Sequence, residues 1–397
     1  MGIDETPEEI KTEIRITSIS IAGLKKTRLS TAEQPLRKFI GTRAEEINSA
    51  DVMAAVLATG ILEPVSVEVS GSVLSVTVAE KWSIIPIPVF FASSNGNIGG
   101  GLAFLEANAF GLNDKFFATG MYQSNGWLVS AGYVHSSLGG RSPGWTLSAS
   151  FTREERHDTN QDDDDLRIFD LDTISGTAGI NMRFIPDSDL FSAALQVSFT
   201  QKNLRKKELA SGAPDTSIGL FGSSFEIFFK TNSWDGYFLS QGTASIRYTI
   251  KTNFGGTTYH SARLRGAWEK SIVPGFRFCF RTGALFEPEA PVLFESPPGA
   301  AQVSILPKNF SARSYAGFSA GLEKYIFRFS KGTLSISAAY QLVLSEGSLL
   351  KKSVDHGVEG MLTFYLRQLA IPAVGVGIAY NVREDYLQGS FSLGMSF

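Results

Sequence analysis

The sequence predicts an all-β transmembrane barrel of about 16 antiparallel strands, preceded by one small α+β domain. Three features of the chain indicate this architecture. Apolar and polar residues alternate strictly over many segments, as in strands whose two faces meet different surroundings. The polar positions hold mostly Ser, Thr, Gly and Gln, which suits a wet interior. Short and long connections alternate along the chain, as they do in outer-membrane barrels.

Composition excludes several classes of protein. Of the 397 residues, 43% are apolar and 19% are charged, so the chain is not a disordered protein. The single cysteine, Cys279, allows neither an intramolecular disulfide nor a thiol metal cluster. The net charge is −3, and the chain lacks the dense basic patch of a nucleic-acid-binding protein, so we exclude that class. No apolar stretch reaches the roughly 18 residues of a membrane helix. This criterion does not apply to barrel strands, because only alternate residues of such a strand face lipid.

The N-terminal part of the chain has a different pattern. Residues 1–12 lack the basic and apolar regions of a secretory signal, and we expect them to be a leader or linker. Residues 13–81 predict a domain of element order β-α-α-β-β, and about seventy residues suffice for one core. Its predicted elements are a strand at 14–21, helices at 32–40 and 50–57, and a hairpin at 65–78. Residues 82–397 are then predicted to form the barrel.

The alternation is clearest in a predicted strand in which Trp145, Leu147 and Phe151 are interleaved with small hydroxyl residues. The same pattern recurs at 191–200, 244–251, 334–342 and 391–397. A soluble sandwich would hide its apolar face between two sheets and carry Lys and Glu outside. A structure with Trp145, Phe191 and Phe199 between two stacked sheets would therefore contradict the barrel.

The connections predict which ends of the strands lie on which side of the membrane. Short turns are predicted at 110–113, 186–189, 273–275 and 330–332, and we place them in the periplasm. Long segments are predicted at 153–172, 202–216, 287–316 and 346–355, and we place them outside the cell. The predicted strands between them are about ten residues long, enough for a tilted strand to cross a bilayer.

Two prolines in the first barrel strand predict a weak seam. Pro86 and Pro88 share parity, so both missing N–H groups fall along one edge of that strand. In a closed barrel the first strand pairs with the last, and we hypothesise a seam with few hydrogen bonds between them. Its predicted residues are Ile84, Pro86, Pro88, Phe90, Phe391, Leu393 and Phe397. The alternative is an entry strand that lies below the membrane and pairs with nothing.

Three segments carry a resemblance to the BamA/TamA outer-membrane assembly family. The stretch ATGILEPVSVEVSGSVLSVTVAEKW at 58–82 resembles the end of a POTRA domain, the periplasmic module of that family. Residues 356–397 resemble the last three strands of its barrel, including the closing Phe397, and FLEANAFGLNDKF at 104–116 is similar to the segment that joins the second and third strands. The resemblance implies a bacterial outer-membrane location with the POTRA domain in the periplasm.

The same resemblance points to a loop that folds into the lumen. The family carries Arg-Gly-Phe/Tyr in its long sixth extracellular loop, and this chain has Arg313-Ser314-Tyr315 in its longest late loop. Serine stands where the family has glycine, which permits backbone dihedrals that serine resists. The resemblance implies that Arg313, Tyr315 and Gly317 form the lumenal tip, with Glu323 as a candidate acid partner of Arg313. An ordinary solvated loop arginine is the alternative.

Other motifs indicate no chemistry. The Gly317–Gly321 stretch matches G-x-S-x-G but lacks the strand, turn and helix of a nucleophile elbow. The acidic run at 162–165 lacks the spaced ligands of a calcium loop and is interpreted as a solvated loop. The four histidines show no zinc-ligand spacing. We therefore expect no catalytic residue, no metal and no cofactor.

The predicted function is an outer-membrane insertase, not an enzyme. Its expected partners are outer-membrane lipid and unfolded outer-membrane client proteins, which would bind through the POTRA domain and the seam. Two alternatives stay open: a polypeptide secretion channel of the two-partner type, and a passive membrane anchor or homodimer platform as in patatin-linked relatives.

Overall fold

The chain forms two compact units in a computed structural model. One unit comprises Met1–Ser83 with Ala107–Asp114, and the other comprises Ile84–Glu106 with Lys115–Phe397. The predicted boundary was at residue 81, and Ala107–Asp114 were not expected in the first unit. The structure describes residues 13–92, 98–135, 143–159, 165–185, 190–209, 217–234, 238–295, 303–306, 310–329, 332–347, 352–366 and 373–393. The predicted leader 1–12 lies outside them.

The N-terminal unit packs two short helices on a three-stranded sheet. Its elements are β1 (Ser18–Ala22), α1 (Leu29–Glu33), 3-10 turns at Gln34–Phe39 and Ala44–Glu46, α2 (Ser49–Leu57), β2 (Leu62–Ser70) and β3 (Val73–Glu80). The strand order is β1-β3-β2, with β1 parallel and β2 antiparallel to β3. The side chain of Asn48 accepts the N–H of Ala50 and caps α2. Leu36, Val52 and Leu74 are fully buried in the core.

The turn Ala107–Asp114 belongs to this unit through specific hydrogen bonds. Asn108 Nδ2 donates to Thr27 Oγ1 at 2.9 Å, and Asn113 Nδ2 donates to Thr59 O at 3.1 Å. Gly111 has a φ of +73°, and a Cβ there would lie 2.2 Å from the carbonyl oxygen of Lys26. Only glycine allows both this dihedral and this close approach.

Glu80 ties the end of β3 to the chain before α1. Its carboxylate accepts the backbone N–H groups of Lys25, Lys26 and Thr27 at 2.7 to 3.0 Å. Burial raises the pKa of Glu80, but these hydrogen bonds favour the charged form more strongly, and the net effect is a pKa below the ordinary glutamate value.

The second unit is a 16-stranded sheet in which each strand is hydrogen-bonded to its neighbours in sequence, from β4 to β19. The number of strands agrees with the prediction. The strands are β4 (Ile84–Ala92), β5 (Ile98–Ala109), β6 (Asp114–Gln123), β7 (Gly126–His135), β8 (Gly144–Thr159), β9 (Asp165–Arg183), β10 (Phe191–Leu209), β11 (Ile218–Trp234), β12 (Leu239–Asn253), β13 (Thr258–Val273), β14 (Phe276–Phe286), β15 (Ser314–Phe329), β16 (Gly332–Glu346), β17 (Ser353–Leu366), β18 (Ala373–Asn381) and β19 (Tyr386–Leu393). A 3-10 turn, Val292–Phe294, lies between β14 and β15.

The two faces of the sheet differ as the alternation predicts. Trp145, Phe191 and Phe199 are 43%, 41% and 36% exposed, so they are not hidden between stacked sheets, and the sandwich alternative is wrong. We call their face the outer face. On the opposite, inner face, hydroxyl groups pair across strands, as between Ser148 and Thr177 at 2.5 Å. Apolar groups outside and hydroxyls inside are typical of a membrane barrel.

Several strands are longer than predicted. β8 to β11 contain 16 to 19 residues, so most of the predicted long loops 153–172 and 202–216 is strand. Opposite charges that face each other across the ladder stabilise these extensions, because cross-strand pairs contribute to pairing even where apolar residues are absent. Arg153 and Asp172 are one such pair, with Nε and Oδ1 2.9 Å apart.

The sheet has two edges in the described part of the chain. There, β4 is hydrogen-bonded only to β5, and β19 only to β18, so the predicted closure between first and last strands is not seen as a ladder. The adjoining residues 93–97 and 394–397 lie outside the described ranges. No described helix is long and apolar enough to cross a membrane.

Glu80 makes the N-terminal unit sensitive to acid. Because its pKa is depressed on folding, its stabilisation is present above the ordinary glutamate pKa of about 4.3 and is lost as pH falls through the folded-state value. We expect Glu80→Gln to destabilise the unit by about 1 kcal/mol at pH 7, a small value because the group is largely solvated. The measurement is urea unfolding of the full chain, followed by hydrogen exchange of peptides from residues 13–83 at pH 7 and at pH 3.5.

The matched control is Glu68→Gln, which changes an exposed carboxylate on β2 of the same unit. The wild type and this control should both lose stability on acidification, and Glu80→Gln should lose less. Equal losses in the two variants would show that Glu80 has no such role.

Candidate functional site

The edge of β4 that faces away from β5 lacks two backbone N–H donors. Ala107 N donates to Ser83 O at 2.8 Å, which makes these two residues a hydrogen-bonded pair at the start of the β4–β5 ladder. Such pairs recur at every second residue of an antiparallel ladder. From the register, Pro86 and Pro88 lie between them and direct their backbone groups away from β5. Both missing N–H groups therefore fall on the edge that no described strand covers.

This geometry bears on the two alternatives for the prolines. β4 pairs with β5 along its whole length, Ile84–Ala92, so it is part of the sheet and does not lie apart from it. The backbone of Phe90 is opposite Gly100 in this ladder, and its side chain lies outside the described part of the structure. Ile84 is exposed. A seam along this edge would be short of hydrogen bonds on the β4 side.

The other edge is β19, which pairs with β18 from Tyr386 to Leu393. The predicted seam residues Phe391 and Leu393 are in this ladder, opposite Val376 and Val374, but their side chains lie outside the described part of the structure. Phe397 lies outside it altogether. The seam between β4 and β19 stays a prediction.

The segment between β14 and β15 is called here the inner loop, because its described parts, 287–295, 303–306 and 310–313, pack on the inner face. The predicted tip residues lie at its base and not at its tip. Arg313 N donates to Glu346 O at 2.9 Å, and Tyr315 and Gly317 are already in β15. The β14–β15 ladder extends to Ser314, where serine suits an extended strand better than the expected glycine would.

Arg313 finds its acid partner within the inner loop. Its Nε lies 3.0 Å from Glu295 Oε1, and Glu295 Oε2 lies 2.7 Å from Arg167 Nη2 on β9. Arg167 also contacts Asp158 Oδ2 on β8 at 2.7 Å, and Asp158 Oδ1 contacts Arg156 Nε at 2.6 Å. These five side chains form a continuous ion-pair chain from the loop to β8. Asp158, Arg167 and Glu295 are almost fully buried.

Hydrogen bonds attach the inner loop to other strands as well. Lys202 Nζ on β10 donates to Leu293 O at 2.6 Å, and Ser304 Oγ donates to Glu359 Oε1 on β17 at 2.8 Å. Gln388 Nε2 on β19 donates to Leu306 O at 2.7 Å. One loop thus contacts β8 to β10 and also β17 and β19, which are far apart in the strand order. The sheet must curve around the loop with its inner face concave.

Glu323 is the partner of a different arginine. Arg277 Nε donates to Glu323 Oε2 at 2.8 Å, and Arg277 Nη1 lies 3.0 Å from Glu269 Oε2. Tyr365 OH donates to Glu323 Oε1 at 2.9 Å. This buried cluster joins β13, β14, β15 and β17, and the suggested Arg313–Glu323 contact is replaced by Arg313–Glu295.

Sequence reasoning missed both buried charge groups, although a signal was present. Arg277, Glu269 and Glu323 occupy inner-face positions of predicted strands, where an unpaired charge is costly. Asp158 and Arg167 fell in segments interpreted as solvated loop. Local pattern shows that such charges need partners, but it does not identify them.

The motifs set aside in the sequence lie as follows. The G-x-S-x-G stretch Gly317–Gly321 lies entirely within β15. Asp165 contacts His157 Nδ1 at 2.9 Å, and residues 162–164 are outside the described chain. Within the described ranges no group of three or more His, Cys, Asp or Glu side chains could hold a metal ion.

Comparison with solved structures decides the fold. CdiB from Acinetobacter baumannii superposes with a TM-score of 0.62 at 12% identity, over 96% of this chain and 73% of that one. BamA from Haemophilus ducreyi lacking POTRA domains 1-3 gives a TM-score of 0.59 at 13% identity, over 95% and 84%. The chain shares its fold with the BamA and CdiB barrels. CdiB from Escherichia coli agrees, with a TM-score of 0.51 at 12% identity over 98% and 92%. No protein-family model and no curated protein matches the sequence.

The ion-pair chain should hold the inner loop in place. Glu295→Gln keeps the side-chain volume but leaves the buried Arg167 and the partly exposed Arg313 without this carboxylate, and we expect a loss of about 3 kcal/mol. Hydrogen exchange of peptides from 287–295 and 303–313 should become faster while exchange in β13 to β16 is unchanged. Glu289→Gln, an exposed change in the same loop, is the control. Unchanged exchange in Glu295→Gln would contradict an anchoring role.

Proposed function

We propose that the chain is an outer-membrane assembly factor of the BamA/TamA type, an insertase that pairs the free edge of its sheet with strands of unfolded client proteins. The observation that carries the proposal is the edge of β4, where Pro86 and Pro88 remove two donors from the side that faces away from β5. An edge with few hydrogen bonds exchanges partners at low cost.

The proposed mechanism needs no catalytic residue and no cofactor. An uncovered strand edge is a template for an incoming strand, because its free carbonyl and N–H groups can be satisfied by pairing. A client hairpin that pairs there gains hydrogen bonds before it enters lipid. The burial of the client's apolar face in the membrane then supplies the free energy for insertion.

The rest of the chain fits an outer-membrane location. The apolar outer face of the sheet suits contact with lipid, and closed or edge-paired strands leave no backbone group unsatisfied there. The N-terminal unit would be a POTRA domain in the periplasm. Its strand β2 is at the edge of a three-stranded sheet and exposes Val65 and Val69, which offers a first pairing surface for clients.

A two-partner secretion channel is the second candidate. The fold similarity to CdiB and the hydroxyl groups on the inner face favour it, because a polar conduit passes an extended chain without binding it tightly. In that case the inner loop must leave the lumen during transport. Glu295→Gln, which loosens the loop, should then raise conductance in planar bilayers, whereas an insertase that works at the edge has no such requirement.

A proteoliposome assay tests the insertase directly. Client barrels should insert faster in the presence of the wild-type chain than into empty liposomes. The double change Pro86→Val/Pro88→Val restores two donors worth roughly 1 kcal/mol each, which should strengthen pairing along the edge and slow insertion about thirtyfold.

The matched control is Ile85→Val/Ile87→Val. It changes the neighbouring positions, whose backbone groups are directed toward β5. It should insert clients at the wild-type rate. Insertion no faster than into empty liposomes would refute the insertase, and equal rates in the proline variant and the wild type would refute the role of the edge.

A further inference from the structure

A row of aligned side chains that includes two arginines and a tyrosine crosses four strands on the inner face. Arg247 on β12 is directly opposite Arg263 on β13, Arg263 is opposite Leu285 on β14, and Leu285 is opposite Tyr315 on β15. Residues that are directly opposite share a face of the sheet. Leu285 and Tyr315 pack with Ile305 of the inner loop, which places the whole row on the inner face.

This row carries more positive than negative charge. Arg247 is ion-paired with Glu226 on β11, and nearby Lys251 is ion-paired with Glu287. Arg263 and its same-face neighbour Arg265 have no carboxylate within ion-pair distance in the described ranges. The two arginines are half-buried and lie close enough to repel each other. Arg265 also interacts electrostatically with Glu226, but without an ion-pair contact. Two neighbouring guanidinium groups that contact no carboxylate are stabilised by a bound anion.

Tyr315 adds a buried donor with nothing to bind. The residue is 4% exposed, and its hydroxyl has no hydrogen-bond partner among the described residues. The register places Tyr315 two strands from Arg263 on the same row, and its hydroxyl interacts electrostatically with both Arg263 and Arg265. Buried hydroxyls without a partner are rare because desolvation without a compensating bond is costly. A ligand between the three side chains would satisfy it.

The neighbouring strands leave room beside the arginines. Arg265 is directly opposite Gly283 on β14, and Gly283 is opposite Gly317 on β15. Neither glycine has a side chain to cover the inner face. Ser245 on β12, directly opposite Arg265 on its other side, is also small. Among the described residues, two arginines without an ion pair and one hydroxyl without a hydrogen-bond partner thus lie on adjoining rows of the inner face, beside positions with small or no side chains.

We propose that Arg263, Arg265 and Tyr315 form a binding site for a phosphate-type oxyanion on the inner face of the sheet. The planar guanidinium groups can each donate two hydrogen bonds to a phosphate, and the tyrosine hydroxyl can donate one more. The site goes beyond the proposed assembly function and does not depend on it. The phosphate is either free in solution or part of a lipid headgroup.

Calorimetric titration of the full chain in uncharged detergent tests the site. One arm uses inorganic phosphate, and the other uses phosphatidylglycerol in mixed micelles. We expect saturable binding of one equivalent in at least one arm, weakened about tenfold or more by Arg263→Gln/Arg265→Gln. Tyr315→Phe removes only the hydroxyl and should weaken binding severalfold in a chain that still folds. The arm that saturates identifies the source of the phosphate.

Arg153→Gln is the control, because it removes an exposed arginine far along the strand order on β8 and should leave binding unchanged. Absence of saturable binding by the wild type in both arms would overturn the proposal. So would equal affinities in the wild type, the double arginine variant and Tyr315→Phe.

Discussion

The shape of the large sheet depends on buried charges that must be paired. Glu295 of the inner loop sits between Arg313 and Arg167, and Arg167 in turn contacts Asp158. Each of these groups would be strongly destabilising without its partners, so the loop, β8 and β9 are held together as one structure. Because the same loop is also hydrogen-bonded to β17 and β19, its ion pairs and hydrogen bonds together join strands that are far apart in the strand order to one loop.

The two edges of the sheet differ from its interior in how their backbone groups are paired. Between β4 and β19 the strands pair with both neighbours and satisfy their backbone groups, whereas the two terminal strands each keep one uncovered side in the described chain. Pro86 and Pro88 remove two N–H donors from the edge of β4 that faces away from β5, and they leave the ladder to β5 intact. Under the function proposed above, strand templating needs a stable framework with one edge that is short of donors, since the template must survive each exchange of partner.

Charge is distributed unevenly over the inner face. In the cluster around Arg277 and in the ion-pair chain around Glu295, every charged side chain contacts at least one group of opposite charge, so both stabilise the fold. Arg263 and Arg265 have no ion pair among the described residues, and the hydroxyl of Tyr315 has no hydrogen-bond partner among them. Arginines without an ion pair next to an unused donor distinguish a place for a ligand from a place that only stabilises the fold.

Features with a period of two residues could be predicted from the chain alone, because the face of a strand on which a side chain lies is decided locally. The outward position of Trp145 and the shared edge of Pro86 and Pro88 follow from that rule. The partners of buried charges could not be predicted in this way. Arg313 pairs with Glu295 and not with Glu323, and β8 and β9 continue through residues that look like loop, because both outcomes depend on side chains that folding brings in from distant segments.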